Sequence, residues 1–102
     1  MTKLVHVCNL EELQPGDKLA ITTDGENILV ANIEGNVLAV SNICTHEYAE
    51  LVNGFLIDDT ITCPLHLSRF KLETGEVLNL PATKPLKTYK VLIQDSEVYI
   101  EI

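Results

Sequence analysis

Apolar and polar residues alternate along most of this chain in short runs broken by turn formers, the period-two pattern of half-buried strands. It predicts strands over Lys3–Val7, Lys18–Thr22, Asn27–Ile33 and Val37–Val40. Shorter pieces follow at Gly54–Ile57, Thr60–Thr62, Arg69–Leu72 and Glu76–Leu80, then a closing hairpin of Thr88–Ile93 and Glu97–Ile102. Asp24-Gly25, Glu34-Gly35-Asn36, Asp58-Asp59, Thr74-Gly75 and Asp95-Ser96 supply the turns, because Gly, Asn and Asp accept the dihedrals that turns need. In Asn9-Leu10-Glu11-Glu12 a candidate N-cap precedes an acid by three residues, which predicts one helical turn ended by Pro15-Gly16. So many short strands predict an all-β fold, an antiparallel barrel or sandwich. Alternation fails over Ser41–Asn53 and Pro64–Ser68, and Pro81-Ala82-Thr83-Lys84-Pro85 is a stiff loop. Function concentrates on such irregular segments.

Composition narrows the picture. A chain of 102 residues is expected to form one domain, 1–102, with one modest core. Seven Lys+Arg against fifteen Asp+Glu give a net charge of -8, which argues against nucleic acid or an anionic membrane as partner. The charge is uneven: residues 1–60 hold ten acids and two bases, residues 61–102 five of each. An acidic docking face for a basic protein partner is one reading, a solvated surface the other. The longest apolar runs, such as Ile28–Ala31 and Val37–Val40, fall far short of the ~20 residues of a membrane span. The N-terminus has no signal-peptide core, so a cytoplasmic protein is expected. Three cysteines cannot all pair, and in a reducing compartment they read as metal ligands or buried thiols.

Candidate chemistry lies where the alternation stops. Cys44-Thr45-His46 and Cys63-Pro64-Leu65-His66 each offer one thiolate and one imidazole. Soft thiolate and borderline imidazole suit zinc, copper or iron–sulfur chemistry. Two loops brought together by a hairpin would make a four-ligand site. A structural zinc set also uses two Cys and two His, but its common spacing pairs Cys with Cys and His with His, whereas each half here is mixed. The remaining Cys8 is expected to be a buried thiol, and His6 a surface residue.

With these boxes in place, the sequence resembles the Rieske [2Fe–2S] family over nearly its whole length. The resemblance implies a Rieske-like antiparallel barrel with a small cluster-binding subdomain, its loops at about 43–50 and 63–70 and a shielding proline loop at 81–85. It implies one [2Fe–2S] cluster per chain, Cys44 and Cys63 on one iron and His46 and His66 on the other. Replacing two thiolates by neutral imidazoles makes the oxidised site neutral, so an added electron is less opposed and the potential rises. Around the cluster the resemblance places Leu65, Leu67, Ser68, Phe70 and Pro81.

Several departures refine this. High-potential members carry a loop disulfide at the positions of Ala49 and Leu65, which here are apolar. Ser68 matches a serine that hydrogen-bonds the cluster, but Phe70 stands where a tyrosine would and has no hydroxyl. Fewer hydrogen bonds to sulfur lower the potential, so the lower part of the Rieske range is expected. Leu67 replaces a usual glycine, which implies an altered loop path, an apolar cover or part of a docking surface. No catalytic triad, phosphate loop or paired carboxylate stands out, and the chain is not expected to be an enzyme by itself. The resemblance implies a monomeric one-electron carrier between a reductase and a terminal oxygenase or similar acceptor. A permanently bound electron-transfer subunit of a reductase or oxygenase complex and a structural zinc module are the alternatives.

Overall fold

The computed structural model describes residues 3–65 and 67–102. Nine strands occur among them: β1 (Leu4–Asn9), β2 (Lys18–Thr23), β3 (Glu26–Ile33), β4 (Asn36–Ser41), β5 (Phe55–Ile57), β6 (Thr60–Thr62), β7 (Arg69–Lys71), β8 (Thr88–Gln94) and β9 (Glu97–Glu101). Six form one antiparallel sheet in the order β1-β9-β8-β4-β3-β2, curled into a nearly closed barrel. The other three form a small antiparallel sheet, β5-β6-β7.

The hairpins are local. Asp24-Gly25, Glu34-Gly35 and Asp95-Ser96 all have positive φ, as two-residue turns between right-twisted strands require. After β1, Asn9 caps a 3₁₀ turn: Glu11 N–H donates to its Oδ1 at 2.8 Å, and its own N–H donates to Glu12 Oε1 at 3.0 Å. A bulge interrupts the β1–β9 register, with His6 opposite Tyr99 but Cys8 opposite Val98. The extra residue, Val7, turns Cys8 inward although it has the parity of the exposed His6. Burial, aided by Glu12 and Glu97, pushes the Cys8 thiol up.

Two cores share β3 and β4. Ile28, Val30, Val37 and Ala39 pack inside the barrel with Leu13, Val98 and Ile100. Leu29, Ala31 and Val40 face the other way, onto Leu51, Ile61, Phe70 and Leu72 beneath the small sheet. Burial on both faces explains the unbroken apolar runs Ile28–Ala31 and Val37–Val40. The small sheet thus rests on the outside of the barrel, and its irregular loops project from that junction.

One expected strand is absent. Glu76–Leu80 pairs only through the isolated bridge of Val77 to Phe70. Leu78 N–H donates to Arg69 C=O at 2.8 Å, but Arg69 N–H donates to the Asn79 side chain. A side-chain carboxamide has taken the place of a backbone partner, and the ladder stops there.

Candidate metal centre

The two candidate ligand boxes lie on loops fixed from below. Cys44 N–H donates to Ala49 C=O at 3.0 Å, closing the first loop, and Ile43 bridges Glu50. Fully buried Asn42 anchors it: its Oδ1 accepts from Val52 N–H at 2.8 Å, and its Nδ2 donates to Asn27 Oδ1 at 3.0 Å. Its backbone also engages Asn27 C=O and Leu51 N–H. In the second loop Cys63 N–H donates to Ser68 C=O at 2.8 Å. Gly54 is packed against the Thr62 carbonyl, where any Cβ would collide, so glycine sets how closely the chain entering β5 approaches the strand that leads to Cys63.

The third loop ties both together. Thr45 Oγ1 donates to Lys84 C=O at 2.6 Å, and Ala82 N–H donates to Ser68 Oγ at 3.0 Å. At the loop's far end Leu86 N–H donates to Gly75 C=O at 2.8 Å. Ser68 and Ala82 are buried, and Pro81, after a cis Leu80–Pro81 bond, is half-buried. Since Ala82 uses an acceptor lone pair of Ser68 Oγ, the hydroxyl hydrogen remains available to donate.

Cys44 and Cys63 come together, both buried in one core with Ala49, Phe70 and Ala82. Burial pushes the Cys63 thiol up to about 11, opposed by a hydrogen bond from the Leu65 backbone and reinforced by Cys44 and Glu47. Two converging thiols in an apolar setting suit a soft cation, whose charge would compensate a pair of thiolates. His46 sits at the surface, its side chain 35% exposed, with Nε2 3.9 Å from Glu47 Oε1. His66 lies outside the described residues. Among the described residues no three His, Cys, Asp or Glu side chains converge on a single ion.

Ala49 and Leu65 carry no bridge, and Cys8, Cys44 and Cys63 are free thiols. Phe70 is fully buried beneath the cysteines. Leu67 takes φ +61°, so the loop keeps a left-handed residue there without glycine, at a cost of about 1 kcal/mol or more. The residue is 57% exposed. His6 is exposed, edge-on to the Tyr99 ring. Asn42, Thr45 and Asn79 are structural partners of the site that alternation does not mark. Their signal is positional: each is a short polar residue on or beside an irregular loop, where such side chains bond backbone.

A nearly closed antiparallel barrel with an appended small sheet, and two buried cysteines meeting on loops that leave β4 and β6, define a class of domain with a candidate thiolate metal site. The family model of the Rieske [2Fe–2S] domain matches residues 3–90. The chain belongs to the Rieske [2Fe–2S] family, and as a member it carries one [2Fe–2S] cluster. It is 38% identical over 100 residues to the ferredoxin component of a naphthalene 1,2-dioxygenase system from Pseudomonas aeruginosa, covering 98% of this chain and 96% of the relative. The ferredoxin of carbazole 1,9a-dioxygenase from Nocardioides aromaticivorans superposes with a TM-score of 0.91 at 34% identity, covering 95% of each chain. A ferredoxin solved in complex with the oxygenase of carbazole 1,9a-dioxygenase gives 0.92 at 32% identity, covering 95% of this chain and 91% of that one. The family and the all-β fold agree with what the sequence pattern implied. Among the described residues no helix is long and apolar enough to cross a membrane.

Proposed function

We propose that this chain is a one-electron carrier of the Rieske ferredoxin type, a single domain over 1–102 that passes electrons from a reductase to a terminal oxygenase. The observation that carries this is the meeting of Cys44 and Cys63 in a buried core, with His46 on the exposed rim of the same loop. Cys44, His46, Cys63 and His66 hold the cluster. When bound, it supplies reversible one-electron exchange. The protein's own part is to bury the thiolate side and exclude water with Phe70, Ala82 and Pro81, while His46 stands at the exposed rim. Ser68 offers a hydroxyl hydrogen in the same buried layer.

Docking is read from the surface around that rim. Tyr48 (78% exposed), Leu65, Leu67 and Leu80 present apolar side chains from all three loops. Exposed apolar groups on and beside the ligand loops suit a transient protein interface, though Leu4, Phe55, Ile57, Leu78, Leu92 and Ile93 are exposed elsewhere. The similarity to a ferredoxin solved with its oxygenase supports the same use here. No enzymatic step is assigned to the chain alone.

An omission assay tests the proposal. A flavin-linked reductase, this protein and an aromatic-ring oxygenase are combined with NADH and substrate. Hydroxylated product is expected with all three components and a large loss on omitting the chain. Undiminished turnover without it, across oxygenases of this type, would overturn the carrier reading.

A further inference from the structure

Leu67 poses a local problem. A residue with a Cβ at φ +61° is strained, and this one lies between the Cys63 box and Ser68. Among the described residues, its backbone support within the loop is its own N–H, donated to Leu65 C=O at 2.6 Å. The compensating contact comes from outside the loop. Asn79 Nδ2 donates to Leu67 C=O at 3.3 Å, and Asn79 Oδ1 accepts from Arg69 N–H at 2.7 Å. This is the amide orientation that matches donor to acceptor at both ends. One carboxamide therefore spans the peptide units on either side of Ser68.

Ser68 is then held from four directions. Asn79 brackets it, its carbonyl accepts from Cys63 N–H, and its hydroxyl accepts from Ala82 N–H. Loss of the bracket would let the Leu67 peptide leave the left-handed region. Ser68 and the ligand loop would move with it.

Resting on the Rieske reading, we propose that Asn79 is a positioning residue of the cluster site, its carboxamide holding Leu67 left-handed and Ser68 in place, a task glycine at 67 would do through backbone freedom alone. Among the described residues the Asn79 carboxamide bonds Leu67 and Arg69, so it acts through Leu67 and Ser68. The interaction has a specific consequence: the need for Asn79 depends on what stands at 67.

The test is a double-mutant cycle on the cluster-loaded protein, with Asn79→Ala and Leu67→Gly alone and together. Two quantities are read: the rate of cluster bleaching under a chelator, and the reduction potential at fixed pH. With leucine at 67, Asn79→Ala is expected to speed bleaching about 5-fold and to lower the potential, because a loosened Ser68 donates less well to sulfur. With glycine at 67, the same substitution is expected to change bleaching less than about 2-fold. Asn79→Asp keeps the acceptor for Arg69 N–H but loses the donor to Leu67, and falls between. A general contribution to folding would leave the potential unmoved. Equal effects of Asn79→Ala in both backgrounds, or none with leucine at 67, would overturn the inference. An unsubstituted protein lacking a Rieske spectrum would instead overturn the reading beneath it.

Discussion

In the barrel, each tight hairpin is closed by the residues inside it. Asp24-Gly25, Glu34-Gly35 and Asp95-Ser96 carry the positive φ their turns require, and β2–β3, β3–β4 and β8–β9 run in unbroken register from them. The metal-site loops are shaped from a distance. Asn42 reaches Asn27 and Val52, Thr45 reaches Lys84, Asn79 reaches Leu67 and Arg69, and Ser68 meets Ala82. Local turns tolerate the loss of their neighbours, whereas loops fixed by remote polar contacts depend on each contact and on the metal. Such loops can present ligands at angles no hairpin offers, and the barrel strands β3 and β4 that share their core support them.

The contrast breaks most sharply at Cys63. Cys63→Ser is expected to abolish the visible spectrum of the cluster while leaving the barrel folded, read as far-UV circular dichroism. Collapse of the β signal as well would mean that the two regions fold as one unit. Next in size is Asn42→Ala, which empties a fully buried position and strands the half-buried Val52 N–H and Asn27 carboxamide. A loss of about 2–4 kcal/mol in denaturant unfolding is expected, with faster cluster loss.

A smaller effect belongs to the barrel. Gly25 has φ +78° with open space around it, so Gly25→Ala is expected to cost about 1 kcal/mol through backbone strain alone. The cluster spectrum should not change, and a changed spectrum would show that barrel and loops are coupled. The smallest effect is electrostatic. Lys87 Nζ and Tyr89 Oη both lie 2.8 Å from Glu26 Oε1, and together they hold the Glu26 carboxyl below its ordinary value. A carboxyl depressed in the fold stabilises above its unfolded pKa, and that stability is lost as pH falls through the lower folded value. Acid unfolding curves of Glu26→Gln should therefore flatten slightly on the acidic side and match the parent's slope near neutrality.

The same contrast explains what the sequence disclosed. Barrel strands were legible to within a residue or two because alternation and turn chemistry are local, and the Asn9–Glu12 cap was visible for the same reason. The candidate ligands stood out because Cys and His in two mixed boxes have little other purpose. Glu76–Leu80 alternates like a strand yet is not one, since the Asn79 side chain occupies the pairing position on Arg69. Burial of Cys8 needed the Val7 bulge, a register feature set against β9. Asn42 and Asn79 were invisible for a general reason: a polar residue's remote partner is written nowhere near it in the chain. The acidic excess is also partly spent internally, since Asp24 and Glu26 pair with Lys3 and Lys87.

All of this rests on mixed ligation of one two-iron cluster by Cys44, His46, Cys63 and His66. The electron paramagnetic resonance spectrum of the dithionite-reduced protein addresses it directly. A low average g, below that of an all-thiolate cluster, is the predicted result, from a coloured protein with labile sulfide. A colourless protein holding zinc and no sulfide would contradict the account.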